Sequence, residues 1–255
     1  IFHLAAQSYV TFSFSSPVVT LKTNVIGTCN LLEAVKELKF TSHYDPIIHI
    51  CSSSEVYGQV KEEDIPIKED VPLRPASPYA VSKVAEDMLA YQYWLSWEIK
   101  TLRTRMFTHT GPRRGDVFVV SNFAKQIAAI EAGLAPPVVK VGNLESIRTF
   151  ADVRDAVRAY WLLVTKCIPG EVYNIGGVET MKVGEMLNRL LGLSLVKNIK
   201  IEVDLNRLRP SDVTLQIPST EKFHKETGWN PEIKFEQTME DTLNYWREYY
   251  KKERR

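Results

Sequence analysis

A short β-branched run that stops at a cluster of small hydroxyl side chains constrains this chain more than any other feature. Ile47-Ile48-His49-Ile50 is apolar and bounded by turn residues, the pattern of a strand buried on both faces of a parallel sheet. It runs into Cys51-Ser52-Ser53-Ser54-Glu55, so Ser53 and Glu55 fall where the strand ends. Downstream, Ser77-Pro78 reads as a helix start, with Ser77 as N-cap and Pro78 in a first turn where its missing N–H costs nothing. A helix over Pro78 to about Trp97 places Tyr79 and Lys83 one turn apart on one face. Between strand and helix, Glu62 to Ala76 mixes charge with Pro66, Pro72 and Pro75, as a surface loop does.

That arrangement has a chemical reading. A phenol with a solution pKa of about 10 is a weak base at neutral pH until a cation lies close. Lys83 supplies one. Tyr79 can then exchange a proton with a substrate hydroxyl while a bound nicotinamide exchanges hydride at the same carbon, with Ser53 hydrogen-bonded to the same oxygen. The competing reading is a helix that carries Tyr and Lys at this spacing with no joint task.

Composition narrows the field around this site. The chain has 255 residues, 44% hydrophobic and 25% charged, enough for one large domain or a domain plus a smaller lobe. A formal net charge of +1 gives no electrostatic case for nucleic acid or an anionic membrane, so an anionic ligand must be met by local groups. No run of about 18 apolar residues and no signal-peptide layout is present, which predicts a soluble cytoplasmic protein. Cys29, Cys51 and Cys167 are scattered without metal-ligand spacing and are expected as reduced core thiols, with no metal site.

Taken in order, the chain opens with the strand pattern Ile1-Phe2-His3-Leu4-Ala5-Ala6. Pro17 to about Phe40 has helical apolar spacing, with Thr23, Asn24 and Thr28 as polar residues inside it. Leu102 to Phe107 alternates like a strand and leads into Thr108-His109-Thr110-Gly111-Pro112-Arg113-Arg114-Gly115, a bounded cationic loop suited to phosphate through forked donors. Further expectations are helices over Phe118–Ala132, Asp152–Val164, Met181–Leu191 and Phe235–Tyr250, and strands over Val138–Val141 and Glu171–Ile175. Lys251 to Arg255 reads as a frayed end. Gly176-Gly177 follows a strand but reads as a turn, not a pyrophosphate loop.

Several segments together carry a resemblance. Ser53, Tyr79 and Lys83, with His3-Leu4-Ala5-Ala6-Gln7 and Thr23-Asn24-Val25-Ile26-Gly27-Thr28, resemble the extended short-chain dehydrogenase/reductases that act on nucleotide sugars. Ser53-Ser54-Glu55, His109 to Gly115, Val141 to Glu145, Arg209-Pro210-Ser211-Asp212 and Gly228 to Pro231 are similar to the GDP-mannose 4,6-dehydratase branch. The resemblance implies an α/β fold, a Rossmann-like doubly wound parallel sheet with a smaller C-terminal substrate lobe. Residues 1–110 would form the dinucleotide-binding part and 111–255 mainly the substrate lobe, with about 145–177 returning to the first. That family carries a glycine-rich phosphate turn and three strands ahead of the segment that opens this sequence, so part of the mononucleotide-binding lobe is expected to be missing here.

For the site, the resemblance implies Ser53, Glu55, Tyr79 and Lys83 as catalytic residues. Leu4, Ala5, Ala6, Gln7, Ser8, His109 and Arg114, with Tyr79 and Lys83, would contact NADP, or NAD in its place. Thr108, Asn122, Arg148, Arg209 and Asp212 would hold a GDP-sugar. The family usually has Asn where Thr108 stands. Lys83 would lower the pKa of Tyr79, and Glu55 would take the C5 proton of GDP-mannose after transient oxidation at C4, followed by loss of water from C6. A GDP-4-keto-6-deoxymannose reductase, a related epimerase, and a non-catalytic dinucleotide sensor are the alternatives. The resemblance also implies a homodimer or tetramer through the Pro17 and Pro78 helices.

Overall fold

The computed structural model describes residues 1–253. The chain begins with β1 (Phe2–His3), α1 (Val10–Ser15) and α2 (Pro17–Leu21), which passes through a π turn at Lys22–Ile26 into α3 (Gly27–Ser42). β2 (Ile48–Cys51) is followed by a 3-10 turn at Ser54–Tyr57, then α4 (Pro78–Trp97), β3 (Thr101–Met106) and β4 (His109–Thr110). Next come α5 (Val119–Glu131), β5 (Val138–Val141), β6 (Ile147–Asp152), α6 (Val153–Lys166), β7 (Val172–Ile175) and β8 (Glu179–Lys182). The chain closes with α7 (Val183–Gly192), β9 (Lys200–Val203), β10 (Leu215–Gln216), α8 (Glu221–Thr227) and α9 (Phe235–Glu253).

These elements form two compact units. The first comprises Ile1–Phe107, Ala156–Gly176 and Ser211–Asn230, and the second Thr108–Asp155, Gly177–Pro210 and Pro231–Arg255. Residues 145–155 thus belong to the second unit, and Ser211–Asn230 joins the first, a return that the sequence pattern does not announce.

The first unit is built on a parallel sheet in the order β1-β2-β3-β7. Phe2 pairs with His49, Cys51 with Thr104, and Met106 with Ile175. Strand alternation gives the sheet two covered faces. Ile48 and Ile50 pack with Leu32 and Val35 of α3, and with Ala90 and Tyr93 of α4. The intervening His49 points the other way, its ring centroid 4.4 Å from that of Tyr160 on α6. Cys51 lies on the same side, its sulfur 3.4 Å from the Tyr160 hydroxyl. Each large apolar side chain buried this way contributes roughly 1.5–3 kcal/mol. The fold is therefore α/β and Rossmann-like, as the family resemblance implies.

A buried charge cluster ties α4 to the sheet. Arg103 and Arg105, two apart on β3 and so on one face, both reach Asp87 of α4, at 3.0 and 2.8 Å. Other donors go to the Gly170 and Glu69 carbonyls and to the Tyr57 hydroxyl, while the Arg103 Nε is buried without a hydrogen bond among the described residues. One carboxylate serving two interior guanidiniums leaves no substitute if it is lost.

The second unit packs α5, α7 and α9 around a core that includes Phe123, Ile127, Phe150, Leu187 and Leu243. β6 runs parallel to β4 and antiparallel to β8, and β5 pairs with β9 in a separate parallel ribbon. Phe150 stacks on Phe235 at 4.7 Å, and the Trp246 indole donates to the Ser121 hydroxyl at 3.0 Å. Gly177 has a packing reason: a Cβ there would sit 1.8 Å from the Phe150 carbonyl oxygen.

Three local expectations need correction. The Pro17 helix is not regular, because the backbone widens into the π turn at Lys22–Ile26. Met181-Lys182 belongs to β8, so the following helix starts at Val183. The C-terminal helix persists through Glu253, so fraying does not begin at Lys251; Arg254 and Arg255 lie outside the described residues.

Asp87→Ala is expected to destabilise the fold by about 3–5 kcal/mol, since it strands two buried guanidiniums. Urea denaturation checks this, and a loss under about 1 kcal/mol would show that water or carbonyls already satisfy both arginines.

Candidate active site

The four side chains picked out at the end of β2 and the start of α4 all lie in the first unit. Ser53 caps the 3-10 turn, its hydroxyl accepting the Glu55 N–H at 3.2 Å. Ser77 caps α4 by accepting the Ala80 N–H at 3.0 Å, with Pro78 in the first turn. These caps hold Tyr79 on the side of α4 that meets the end of β2, where it hydrogen-bonds Ser53. Tyr79, Ser53 and Lys83 are all buried, and Glu55 is half-buried.

Lys83 is held from two sides. Its ammonium donates to the Cys51 carbonyl at 2.9 Å and to the Glu86 carboxylate at 2.9 Å. It lies 5.9 Å from the centre of the Tyr79 ring. Burial alone would drive Lys83 toward its neutral form, but the anionic forms of Tyr79, Glu86 and Cys51 outweigh it and raise its pKa.

The expectation that Lys83 lowers the Tyr79 pKa holds for that one contribution and fails for the sum. Burial pushes the phenol above its ordinary value, and the Lys83 charge and the Ser53 hydrogen bond pull it back only in part. The Glu55 charge also acts on Tyr79, in the upward direction. Desolvation is the larger effect because the residue is buried.

The π turn places a polar residue directly beneath this group. Asn24, fully buried, donates to the Gln7 carbonyl at 3.0 Å and to the Ser82 hydroxyl at 2.8 Å, and its oxygen accepts the Gln7 N–H at 2.7 Å. One amide thus fixes the loop after β1 to the residue next to Lys83. π turns recur at functional sites because they redirect a side chain without ending the helix. In the loop itself, Leu4, Ala5 and Ser8 are exposed and Ala6 and Gln7 half-buried. Gln7 is further tied to Thr20 at 2.9 Å.

The other expected residues fall mostly in the second unit. Thr108 accepts the Ala151 N–H through its carbonyl at 3.0 Å, and His109 opens β4. Arg113 is exposed in a left-handed conformation, φ 70°. The Arg114 guanidinium lies 3.5 Å from the centre of the Phe118 ring. Arg148 sits on β6, nearly buried, donating to the Ile147 carbonyl at 3.1 Å. Asn122 lines a cleft of about 260 Å³ with Asp116, Lys125, Gln126 and Arg207 among its walls. There its side chain accepts from Arg207 at 2.8 Å and donates to the Asp116 carbonyl at 2.7 Å. Arg209 and Asp212, both expected to hold the GDP-sugar, are divided between the units, the boundary falling after Pro210. The Asp212 carbonyl accepts from Gln59, and Ser211 donates to the Ala76 carbonyl, both within the first unit.

Sequence reasoning missed Glu86, Lys125 and Arg207. Glu86 had a signal, being three residues after Lys83 and so on its face of α4. Lys125 likewise lies one turn after Asn122 on α5. Arg207 had none, since a short turn at Leu205–Arg207 brings it to the cleft. Among the described residues there is no cluster fit to hold a metal, and no helix is long and apolar enough to cross a membrane.

Comparison with known proteins places this geometry. A family described as GDP-mannose 4,6 dehydratase matches residues 1–242. The chain belongs to that family. Its relatives carry two names. It is 36% identical to a GDP-6-deoxy-D-mannose reductase of Pseudomonas aeruginosa, over 96% of this chain and 79% of the relative. It is 31% identical to a GDP-mannose 4,6-dehydratase of Vibrio cholerae, over 95% of this chain and 71% of the relative. A solved structure of RMD from Pseudomonas aeruginosa complexed with NADPH superposes with a TM-score of 0.89 at 35% identity, covering 97% of this chain and 81% of that one. The chain is thus an enzyme of the GDP-mannose dehydratase/reductase family.

Two substitutions separate support from chemistry. Asn24→Ala is expected to cost about 1–3 kcal/mol in urea denaturation, because it orphans the part-buried Gln7 backbone amide and removes a partner of the buried Ser82 hydroxyl. Tyr79→Phe, which keeps the ring and its packing, is expected to change stability by less than about 1 kcal/mol while lowering turnover about 10²-fold or more.

Proposed function

We propose that the protein is a GDP-mannose 4,6-dehydratase. The observation that carries this is the carboxylate of Glu55 at the end of β2, close enough for its charge to act on Tyr79. Oxidation or reduction at C4 alone needs a phenol, a hydroxyl and a cation. A carboxylate in the same group adds a base for the neighbouring carbon.

NADP is the proposed cofactor, with NAD the alternative, and the donor set fits its nicotinamide end. A phenol and an ammonium lie together at the carboxyl end of a parallel strand, where α/β sheets bind ligands, beside the exposed small and apolar residues of the Leu4–Ser8 loop. Lys83 and Tyr79 would hold the nicotinamide ribose, with His109 and Arg114 as further contacts. Bound there, the nicotinamide would supply the hydride-transfer chemistry between C4 and C6 of the sugar.

The chain's own residues move the protons. Tyr79 takes the proton of the C4 hydroxyl while Ser53 donates a hydrogen bond to that oxygen, and Lys83 stabilises the negative form of Tyr79. Ketone formation at C4 acidifies the C5 hydrogen, which Glu55 removes and passes to the departing C6 hydroxyl, so that water leaves a C5–C6 double bond; reduction at C6 is completed by a proton at C5 that balances the one Tyr79 took. Thr108, Asn122, Arg148, Arg209 and Asp212 are proposed to hold the GDP-sugar. The cleft beside Asn122 supports this, since Lys125, Arg207 and two amides offer an uneven set of donors and acceptors suited to a nucleotide.

A second reading, GDP-4-keto-6-deoxymannose reductase, is favoured by the higher identity to the Pseudomonas aeruginosa reductase. Incubating the protein with GDP-mannose and NADP separates the two. The dehydratase gives a 4-keto-6-deoxy sugar with no net NADPH. Turnover only of the keto sugar, with NADPH consumed, overturns it in favour of the reductase. Glu55→Gln is expected to lower dehydration about 10²-fold or more while sparing slow oxidation at C4.

We also infer a homodimer through the Pro17 and Pro78 helices. Supporting it, Val18, Ile26 and Phe40 on one helix run and Val81, Met88 and Leu95 on α4 are exposed, Leu95 at 68%. Apolar residues on two neighbouring amphipathic helices suit a four-helix seam with a second copy. Sedimentation velocity should show a dimer that Leu95→Glu converts to monomer; a wild-type monomer at micromolar concentration would refute the seam.

A further inference from the structure

We propose that Glu86 is a positioning residue for proton transfer at Tyr79, seating the Lys83 ammonium by a buried ion pair and setting, through its own charge, how strongly that ammonium acts on the phenol. The inference rests on the reading of Tyr79 and Lys83 as the reacting pair.

The geometry is specific. Glu86 is 1% exposed, and one of its oxygens accepts from Lys83 at 2.9 Å. Its other oxygen, Oε1, is buried and makes no hydrogen bond among the described residues. An ammonium has three donors. Two of those on Lys83 are fixed, by Glu86 and by the Cys51 carbonyl, which leaves the head group facing Tyr79 little freedom. Glu86 has no other cation to serve. The arginines of β3, Arg103 and Arg105, are both taken by Asp87.

The pair is nearly neutral when Glu86 is ionised, so the field that Lys83 exerts on Tyr79 is partly cancelled. When Glu86 is protonated, the phenol meets an uncompensated cation. Burial pushes Glu86 up to about 7, against the pull of Lys83, so this change falls in the working range. Titratable groups on the elements around α4 can be named. α4 itself contributes Tyr79, Lys83 and Asp87. β1 brings His3, and β2 brings His49 and Cys51. Glu55 and Tyr57 come from the turn that follows, and Arg103 and Arg105 from β3. The π turn carries Lys22, and α3 carries Cys29, Glu33 and Lys36. The ordered helix α1 offers no titratable side chain, and Tyr9 precedes it. Of these, Lys83 and Asp87 act on Glu86 directly.

Removing the charge should therefore strengthen the Lys83–Tyr79 coupling. With tyrosine labelled at Cζ and the Tyr79 signal assigned through Tyr79→Phe, NMR titration of Glu86→Gln is expected to show the Tyr79 midpoint lowered by about one pH unit. Glu86→Asp, which keeps the charge, should stay near wild type. The acid limb of kcat should move with the Tyr79 midpoint, while KM changes by less than about twofold. An unchanged Tyr79 midpoint in Glu86→Gln, or equal behaviour of Gln and Asp, overturns the proposal. If Glu86→Gln does not fold, the wild-type protein still decides: Tyr79 and Lys83 signals must each show an inflection where the Glu86 carboxyl titrates, and their absence overturns it. The titration uses no sugar nucleotide, so its failure is distinct from a failure of the dehydratase assignment.

Discussion

The buried ammonium of Lys83 is the constraint around which the first unit is arranged. A lysine this enclosed keeps its charge only if the interior provides anionic and carbonyl partners, and it has both in Glu86 and Cys51. The Cys51 carbonyl is available because β2 ends there and its backbone turns into the serine cluster. α4 must then cross the end of β2 at a set height, and the Ser77 cap with Pro78 fixes where that helix begins.

The same logic explains why the chain spends a second, separate carboxylate one residue on. Asp87 faces the sheet and neutralises two β3 arginines, while Glu86 faces the strand end and meets Lys83. Adjacent acidic residues on a helix point about 100° apart, so the two serve different cations. One locks helix to sheet, and the other holds the ammonium beside Tyr79.

Much of this was legible in the residues. The strand Ile47–Ile50, the capped helix at Pro78 and the placing of Tyr79 and Lys83 on one face follow from periodicity and turn chemistry alone. What periodicity could not show is how far burial would act against Lys83 in setting the Tyr79 pKa, since enclosure depends on residues from distant segments. Nor could it show the π turn, which leaves apolar spacing almost unchanged, or Arg207, which reaches Asn122 through an irregular segment. The second unit was less readable throughout. The antiparallel pairing of β6 with β8 depends on register that no local pattern specifies.

The π turn at Lys22–Ile26 has a consequence for how this chain tolerates change in length. Its wide backbone ring, closed by Gly27 N–H on the Lys22 carbonyl, accommodates one residue more than a regular turn of the same span. Excising a single residue from this stretch would leave a well-formed α-helix, and helix propensity would register no harm. The flanking helices would keep their facing, because the wide ring already absorbs the extra residue, but the side chains inside the turn would be redirected. The Asn24 amide would lose its bearing on Gln7 and Ser82, so a shortening that tidies the helix would unseat the floor beneath Tyr79 and Lys83.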